Sequence, residues 1–383
     1  MKQVIFLLVS TLWSLLLTAQ TSGPKIGGRF FLDFSTFQAD DSLDIYFPDQ
    51  AAGGVEFRTV SLHFKGAAAE NMDYKVQVAL QGGKIRFQDV YLKIKNLAGI
   101  GGNLWLGHFP EPLTISSSVS SNYTVFMERN PVSGYMPRRN TGLMYEQTAF
   151  NDHIAWQLAA FFDADPSTGN ALVKDQNIHY NARLTGMLMQ DEEHNRYFML
   201  GAAYSRRHPT DGNYFYRPTQ SSNLEPRFIS GQSTQVESVS LPAAQLMLIT
   251  GPFSLQGEYV HGRIFYQNTT PLTEIPSYYA FASFFLTGEH RHFKGSYGGF
   301  GRVKINKPFS PQKKQWGAWE IAARMGYSHI KDPATPLTYL REYTLGLNWY
   351  LNSHTRMMFN YVRSDVNGQG FENAGMMRVQ VNF

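Results

Sequence analysis

The 383-residue chain contains no cysteine. That absence excludes disulfide frameworks, thiolate zinc sites, iron–sulfur clusters and thiol nucleophiles together. Beyond residue 17 it also lacks any long apolar run, and because a spanning helix needs about 20 such residues, a polytopic helical membrane protein is excluded. A strong charge of either sign is missing too, with 34 Lys and Arg against 30 Asp and Glu. Without Lys2 the balance is 33 against 30, about +3, so no nucleic-acid partner is expected and any basic function must come from local clustering. No Gly-x-Ser-x-Gly elbow occurs, and Gly99-Ile100-Gly101-Gly102 is not followed by a helical pattern that could cradle a phosphate. The chain is therefore expected to be neither an enzyme nor a cofactor protein. His290 and His292, separated by Arg291, read as contacts of a connecting segment rather than as metal ligands.

What is present begins with an address. Lys2, the apolar stretches 4–9 and 15–17, and Thr18-Ala19-Gln20 follow the order of a secretory signal, with no basic stop-transfer flank behind them. Residues 1–19 are expected to be removed, leaving 20–383 as one domain.

That domain reads as strands. Over 71–81, Met72, Tyr74, Val76, Val78 and Leu80 alternate with Asp73, Lys75, Gln77, Ala79 and Gln81, the two-residue period of a sheet with one apolar face. The same period returns over 177–188, 319–328 and 342–351. It is less pure around 54–64, 85–96, 153–163, 236–249 and 277–287, and no useful 3.6-residue period appears. Short polar turns such as 150–152, 190–195 and 352–353 roughly alternate with longer connections at 35–53, 110–140, 164–175, 208–235 and 367–373. About sixteen strands joined in this way are the pattern of a transmembrane antiparallel β-barrel in a bacterial outer membrane. The last strand agrees: Met377, Val379, Val381 and Phe383 oppose Arg378, Gln380 and Asn382. On this reading Val379→Arg meets lipid and is costly, whereas Gln380→Arg points into a watery lumen and is tolerated.

If one face meets lipid, the polar face lines a pore. In 85–96, Val90, Leu92 and Ile94 point out, which turns Lys93 and Lys95 inward; Lys75 joins them from 71–81, and Arg58 from the less regular strand before it. Rows of Lys and Arg on a pore wall suit anions. Connection 110–140, the third on the long side, carries an apolar anchor, Tyr123-Thr124-Val125-Phe126-Met127, beside Arg129, Arg138 and Arg139. Folded inward, it would form a constriction whose guanidinium groups can grip oxyanions in bidentate fashion. Two other readings stand beside this one. The first is a general porin for neutral or cationic solutes in which the basic groups are paired off, and the second is a non-conducting barrel that binds partners through 208–235 and 164–175.

Several segments, taken in order, resemble the phosphate-selective porins O and P. They are Gln88-Asp89-Val90-Tyr91-Leu92, residues 104–112, Ser120-Ser121, Phe126-Met127-Glu128-Arg129, residues 137–142, residues 286–291 and Gly317-Ala318-Trp319-Glu320. The resemblance implies a homotrimeric sixteen-strand channel embedded in outer-membrane lipid, with an inward-folded third loop and a basic lumen. Such a channel would admit small anions by passive diffusion, phosphate or polyphosphate among them.

Overall fold

The structure is a computed structural model that describes residues 23–383, apart from 44, 49, 136–138, 173–176, 219–221, 226–227, 268–271 and 332–337. The expected signal, 1–19, lies outside the described residues. The barrel runs through β1 (Lys25–Ala39), β2 (Gly53–Ala69), β3 (Met72–Gln81), β4 (Lys84–Lys95), β5 (Asn103–Pro110), β6 (Arg139–Ala149), β7 (Ile154–Phe162), β8 (Ile178–Asp191) and β9 (Arg196–Arg207). It continues through β12 (Val236–Thr250), β13 (Phe253–Tyr266), β14 (Thr273–Phe285), β15 (Ala318–His329), β16 (Tyr339–Tyr350), β17 (Thr355–Val366) and β18 (Gly370–Asn382). Each strand pairs antiparallel with its neighbours, and β1 closes on β18 with Arg29 opposite Asn382 and Ala39 opposite Glu372. Closure leaves the sheet no edge, which is what strands in hydrocarbon require. A small ribbon of β10 (Tyr214–Tyr216) and β11 (Gly231–Ser233) stands inside the 208–235 connection.

Several boundaries differ from the sequence reading. Strand β1 runs to Ala39 and β18 begins at Gly370, so the expected connections 35–53 and 367–373 shrink to 40–52 and to a tight turn at 367–369. The expected 110–140 connection spans 111–138. Between β3 and β4 only Gly82 and Gly83 remain, with φ of 57° and 73°, the left-handed pair that a two-residue hairpin demands.

The strands whose period is blurred in the sequence have physical reasons for it. Register shifts fall in the β1–β2 pairing at Phe31/Leu32 and in the β3–β4 pairing at Val76/Val78, and each bulge moves the alternation by one residue. On β12–β14 the inward face carries apolar residues beside polar ones such as Gln245, Gln256 and Glu258: Val239, Leu241, Met247, Ile249, Val260, Ile264, Ile275 and Phe281 are buried. They pack in one cluster with Leu113, Ile115, Val119, Val125 and Phe126 of the 111–138 connection and with Phe293 and Phe300. Those last two belong to residues 286–317, which connect β14 to β15 at the short-turn end. His290 and His292, expected as contacts of this connecting segment, are exposed there, and the sequence reading assigned no role to the arginine between them. Arg291 is fully buried against lumen-facing Glu320, with Nη2 at 2.5 Å from Oε1 and 2.6 Å from Oε2.

The outward face is apolar along the middle of the strands, with Leu62, Leu184, Ile321 and Leu345 among its exposed residues. Val379 pairs laterally with Leu32 and Met357 on that face, and Val379→Arg is expected to cost about 2–4 kcal/mol if it lies at the bilayer midplane. The companion expectation for Gln380 is corrected. Its side chain is 1% exposed, accepts from Arg356 at 3.0 and 2.9 Å, and donates to the Asn122 carbonyl at 3.1 Å. Gln380→Arg would set a second cation against Arg356 with neither solvated, so it too should destabilise the barrel, by about 1–3 kcal/mol. Loss of heat-resistant mobility on a denaturing gel at a lower temperature than wild type reads out both effects.

Candidate anion-binding site

The 111–138 connection has little regular structure of its own: one helical turn at Ile115–Ser118, capped by Thr114, and a 3-10 turn at Pro131–Gly134. Its backbone polar groups must therefore find partners elsewhere, and the strands supply them. Gln380 donates to the carbonyl of Asn122, Arg291 to Tyr123, Arg356 to Thr124, Asn348 to Val125, Arg378 to Met127 and Arg324 to Glu128, at 2.6–3.2 Å. The Glu258 carboxylate accepts from the amides of Ile115 and Ser116 at 2.5 and 3.0 Å. Residues 208–235 press on the same connection. A Cβ on Gly134 would lie 2.4 Å from the Pro218 nitrogen, and the Tyr214 hydroxyl donates to the Tyr135 carbonyl at 2.5 Å.

Beside this packed side a cavity of about 270 Å³ remains between the connection and β1–β4, β6 and β18. It is lined by five guanidinium groups, Arg29, Arg58, Arg129, Arg139 and Arg378, and by one carboxylate, Glu128, among the described residues. Glu128 receives Arg58 in a fork, Nε at 2.8 Å and Nη2 at 3.1 Å, and Arg378 at 3.0 Å. Burial alone would raise the Glu128 pKa, but the two arginines outweigh it and hold the group below the usual carboxylate range. Arg378 also forks onto Asp33 at 2.6 and 2.7 Å. Arg139 meets Asp89 at 2.6 Å, and Asp89 is shared with Lys75. Including that lysine and the carboxylates behind the wall, six cations among the described residues face Glu128, Asp33, Asp89 and, beyond Arg58, Glu56, an excess of two.

Two arginines carry that excess most openly. Arg29 bonds only to neutral partners, Gln88 at 3.1 Å and Asn122 at 3.4 Å, and its buried Nε has no partner. Arg129 donates to backbone carbonyls, those of Ser116 and, at 2.8 Å, Val119. Burial and then the neighbouring charge of Arg139 lower its pKa to about 10, so it stays charged at neutral pH. Both guanidinium groups thus stand beside the cavity with their hydrogen bonds given to neutral groups, the nearest carboxylates, Asp89 and Glu128, being bonded to other cations.

Of the residues expected from sequence, Arg58, Arg129 and Arg139 meet at this cavity, and Lys75 stands behind it on Asp89. Lys93 and Lys95 lie further along β4, each on a carboxylate: Glu146 at 2.7 Å and Asp73 at 3.0 Å. Arg138 lies outside the described residues. Sequence reasoning passed over Arg29 and Arg378. Arg378 already stood on the lumen face of the terminal alternation, whereas Arg29 was hidden because the next inward residue, Phe31, is apolar. Both guanidinium groups lie over the Phe31 ring, at 5.5 and 4.9 Å from its centre, so the aromatic that obscures the pattern also supports the site.

The family model described as phosphate-selective porin O and P matches residues 25–383. Porin O of Pseudomonas aeruginosa is 24% identical over 382 residues, covering 89% of this chain and 82% of that protein. Among solved structures, the trimer form of OmpT, an outer membrane protein of Vibrio cholerae, superposes with a TM-score of 0.58 at 10% identity, over 94% of this chain and 99% of that one. The anion-selective porin from Comamonas acidovorans gives 0.54 at 10% identity, again over 94% and 99%.

Proposed function

Since the chain belongs to the phosphate-selective porin O and P family and is a porin of the bacterial outer membrane, we propose that it passes small anions by passive diffusion through a lumen narrowed at the Arg29–Arg129 cavity. The observation that carries this reading is the excess of guanidinium over carboxylate there, with Arg29 hydrogen-bonded only to neutral groups. An entering anion exchanges hydration for forked N–H donors, and a phosphate can take two of them at once. Residues 111–138 act as the constriction, narrowing the lumen from the side packed by β12–β15. Arg58 and Arg378 chiefly hold Glu128 and the connection in place, while Arg29, Arg129 and Arg139 face the solute. Binding is shared among several groups, so that no single contact traps the ion. Residues 1–19 are the export signal. The protein assembles as a homotrimer, in keeping with a structural neighbour described as a trimer.

The test is a planar bilayer carrying chloride current into which inorganic phosphate is titrated. Discrete conductance steps that phosphate reduces saturably are expected. A protein that inserts without steps is a non-conducting barrel, and steps indifferent to phosphate mean that the cavity holds no oxyanion. Lys93→Gln should shift anion preference less than twofold in the same assay, because Lys93 is already balanced by Glu146.

A further inference from the structure

The lumen leaves a set of outward-facing charges unexplained. At the long-loop end, laterally paired positions run Arg206, Ser240, Arg263, Glu274, Lys331 across β9, β12, β13, β14 and the residues just beyond β15. A second row continues from Tyr327 to Arg341, Asp365 and Phe371 on β15–β18, with Arg363 next to Asn373 two positions along. Five cations thus stand against Glu274, Asp365 and, in the bulge that opens β12, Glu237. Their mutual pairing is loose: Arg263 and Lys331 lie 3.6 and 3.5 Å from Glu274, and Arg341 lies 3.7 Å from Asp365, with these three cationic side chains about half exposed. Arg206 and Arg363 instead rest on aromatic rings, Phe265 at 4.9 Å and Phe371 at 4.1 Å.

The two rows lie at one end of their strands. At the short-turn end of β15 and β16 the outward residues are Trp319 and Trp349, stacked at 5.1 Å with Phe309 against them, and exposed cations of that end such as Arg196, Lys313 and Lys314 form no such row. On β2–β4 the long-loop end presents Val55, Phe57, Leu80 and Ile85 outward. Laterally paired rows of cations therefore stand where this sector of the barrel, with its long loops outward, meets the headgroups of the outer leaflet. Adjacent strands are about 4.8 Å apart, so Arg206 and Arg263, flanking Ser240, are spaced by about 10 Å, close enough for both forks to engage one phosphorylated sugar. We infer that this row is a binding site for a phosphorylated glycolipid of the outer leaflet, its phosphates held by Arg206, Arg263, Arg341 and Arg363 and its sugars lying over the neighbouring aromatic rings.

Native mass spectrometry of the full barrel in a non-ionic detergent tests the inference, with a bisphosphorylated acylated glucosamine disaccharide as probe and its dephosphorylated form as control. Removing one surface cation is worth about a fivefold change in headgroup affinity. The variant carrying Arg206→Gln, Arg263→Gln, Arg341→Gln and Arg363→Gln should therefore bind the phosphorylated probe at least tenfold more weakly, with channel conductance retained. The corresponding four Arg→Lys changes should keep binding within threefold. Wild type should prefer the phosphorylated probe at least tenfold, and millimolar inorganic phosphate should not displace it. Equal binding of the two probes, undiminished binding by the four-Gln variant, or displacement by inorganic phosphate would each overturn the proposal. Should the four-Gln protein fail to fold, Arg206→Gln with Arg263→Gln alone must lower binding at least fivefold, and no loss in that pair has the same adverse meaning.

Discussion

Arg29→Gln is expected to weaken the phosphate block of chloride current by about 2- to 30-fold while leaving measurable conductance steps. The amide can keep neighbourly contact with Gln88 and Asn122, the neutral partners of the native guanidinium, so the barrel loses little stability. It loses the charge, and a hydrogen bond to a charged group contributes about 1.5–3 kcal/mol where a neutral one contributes about 1. The same change at Arg378 has a different outcome. Removing that guanidinium leaves Asp33 without a partner and takes one of two from Glu128, so Arg378→Gln should lower thermal stability before its effect on ions can be read. Comparing the two separates an anion-facing arginine from a positioning one, with the phosphate half-block concentration as one readout and the melting temperature as the other.

The second large effect concerns the segment that closes the short-turn end. Arg291→Met should destabilise the fold by about 3–5 kcal/mol, because Glu320 would remain fully buried with its countercharge gone. Asn348 and the Tyr350 hydroxyl still donate to Glu320 at 2.9 and 3.0 Å, but neither carries charge. Arg291 also donates to the Tyr123 carbonyl, so its loss loosens the 111–138 connection as well as 286–317. Adding Glu320→Gln to Arg291→Met should recover more than half of the loss. Thermal unfolding in detergent measures both, and additive destabilisation in the double variant would show that the pair is not what holds the segment.

The sequence makes the barrel legible wherever the two faces of a strand differ. Strands β3, β8, β15 and β16 alternate apolar with polar because one face meets lipid and the other faces hydrated or hydrogen-bonded groups. That contrast weakens on β12–β14, where apolar residues are mixed into the inward face, and its cause is distant in sequence: those inward residues cover Val119, Val125 and Phe126 more than 100 positions earlier. The site shows the same division. The charge of Arg129 and Arg139 is visible in the long connection, and Lys75 and Lys93 on their strands. That Lys93 stands on Glu146, and Arg58 on Glu128, depends on register and on the path of the connection, which local periodicity does not encode. Six carbonyls between Asn122 and Glu128 are held by side chains more than 160 residues away. No motif announces such a cradle, because each donor on its strand reads as an ordinary lumen polar group.

The central claim is that the cationic excess around Arg29 and Arg129 sets the sign of selectivity. The zero-current potential of the wild-type channel across a tenfold potassium chloride gradient tests it most directly. The account predicts a potential of the sign that chloride preference gives, moving toward zero in Arg29→Gln. A potential of the opposite sign, or one unchanged by that substitution, would contradict it.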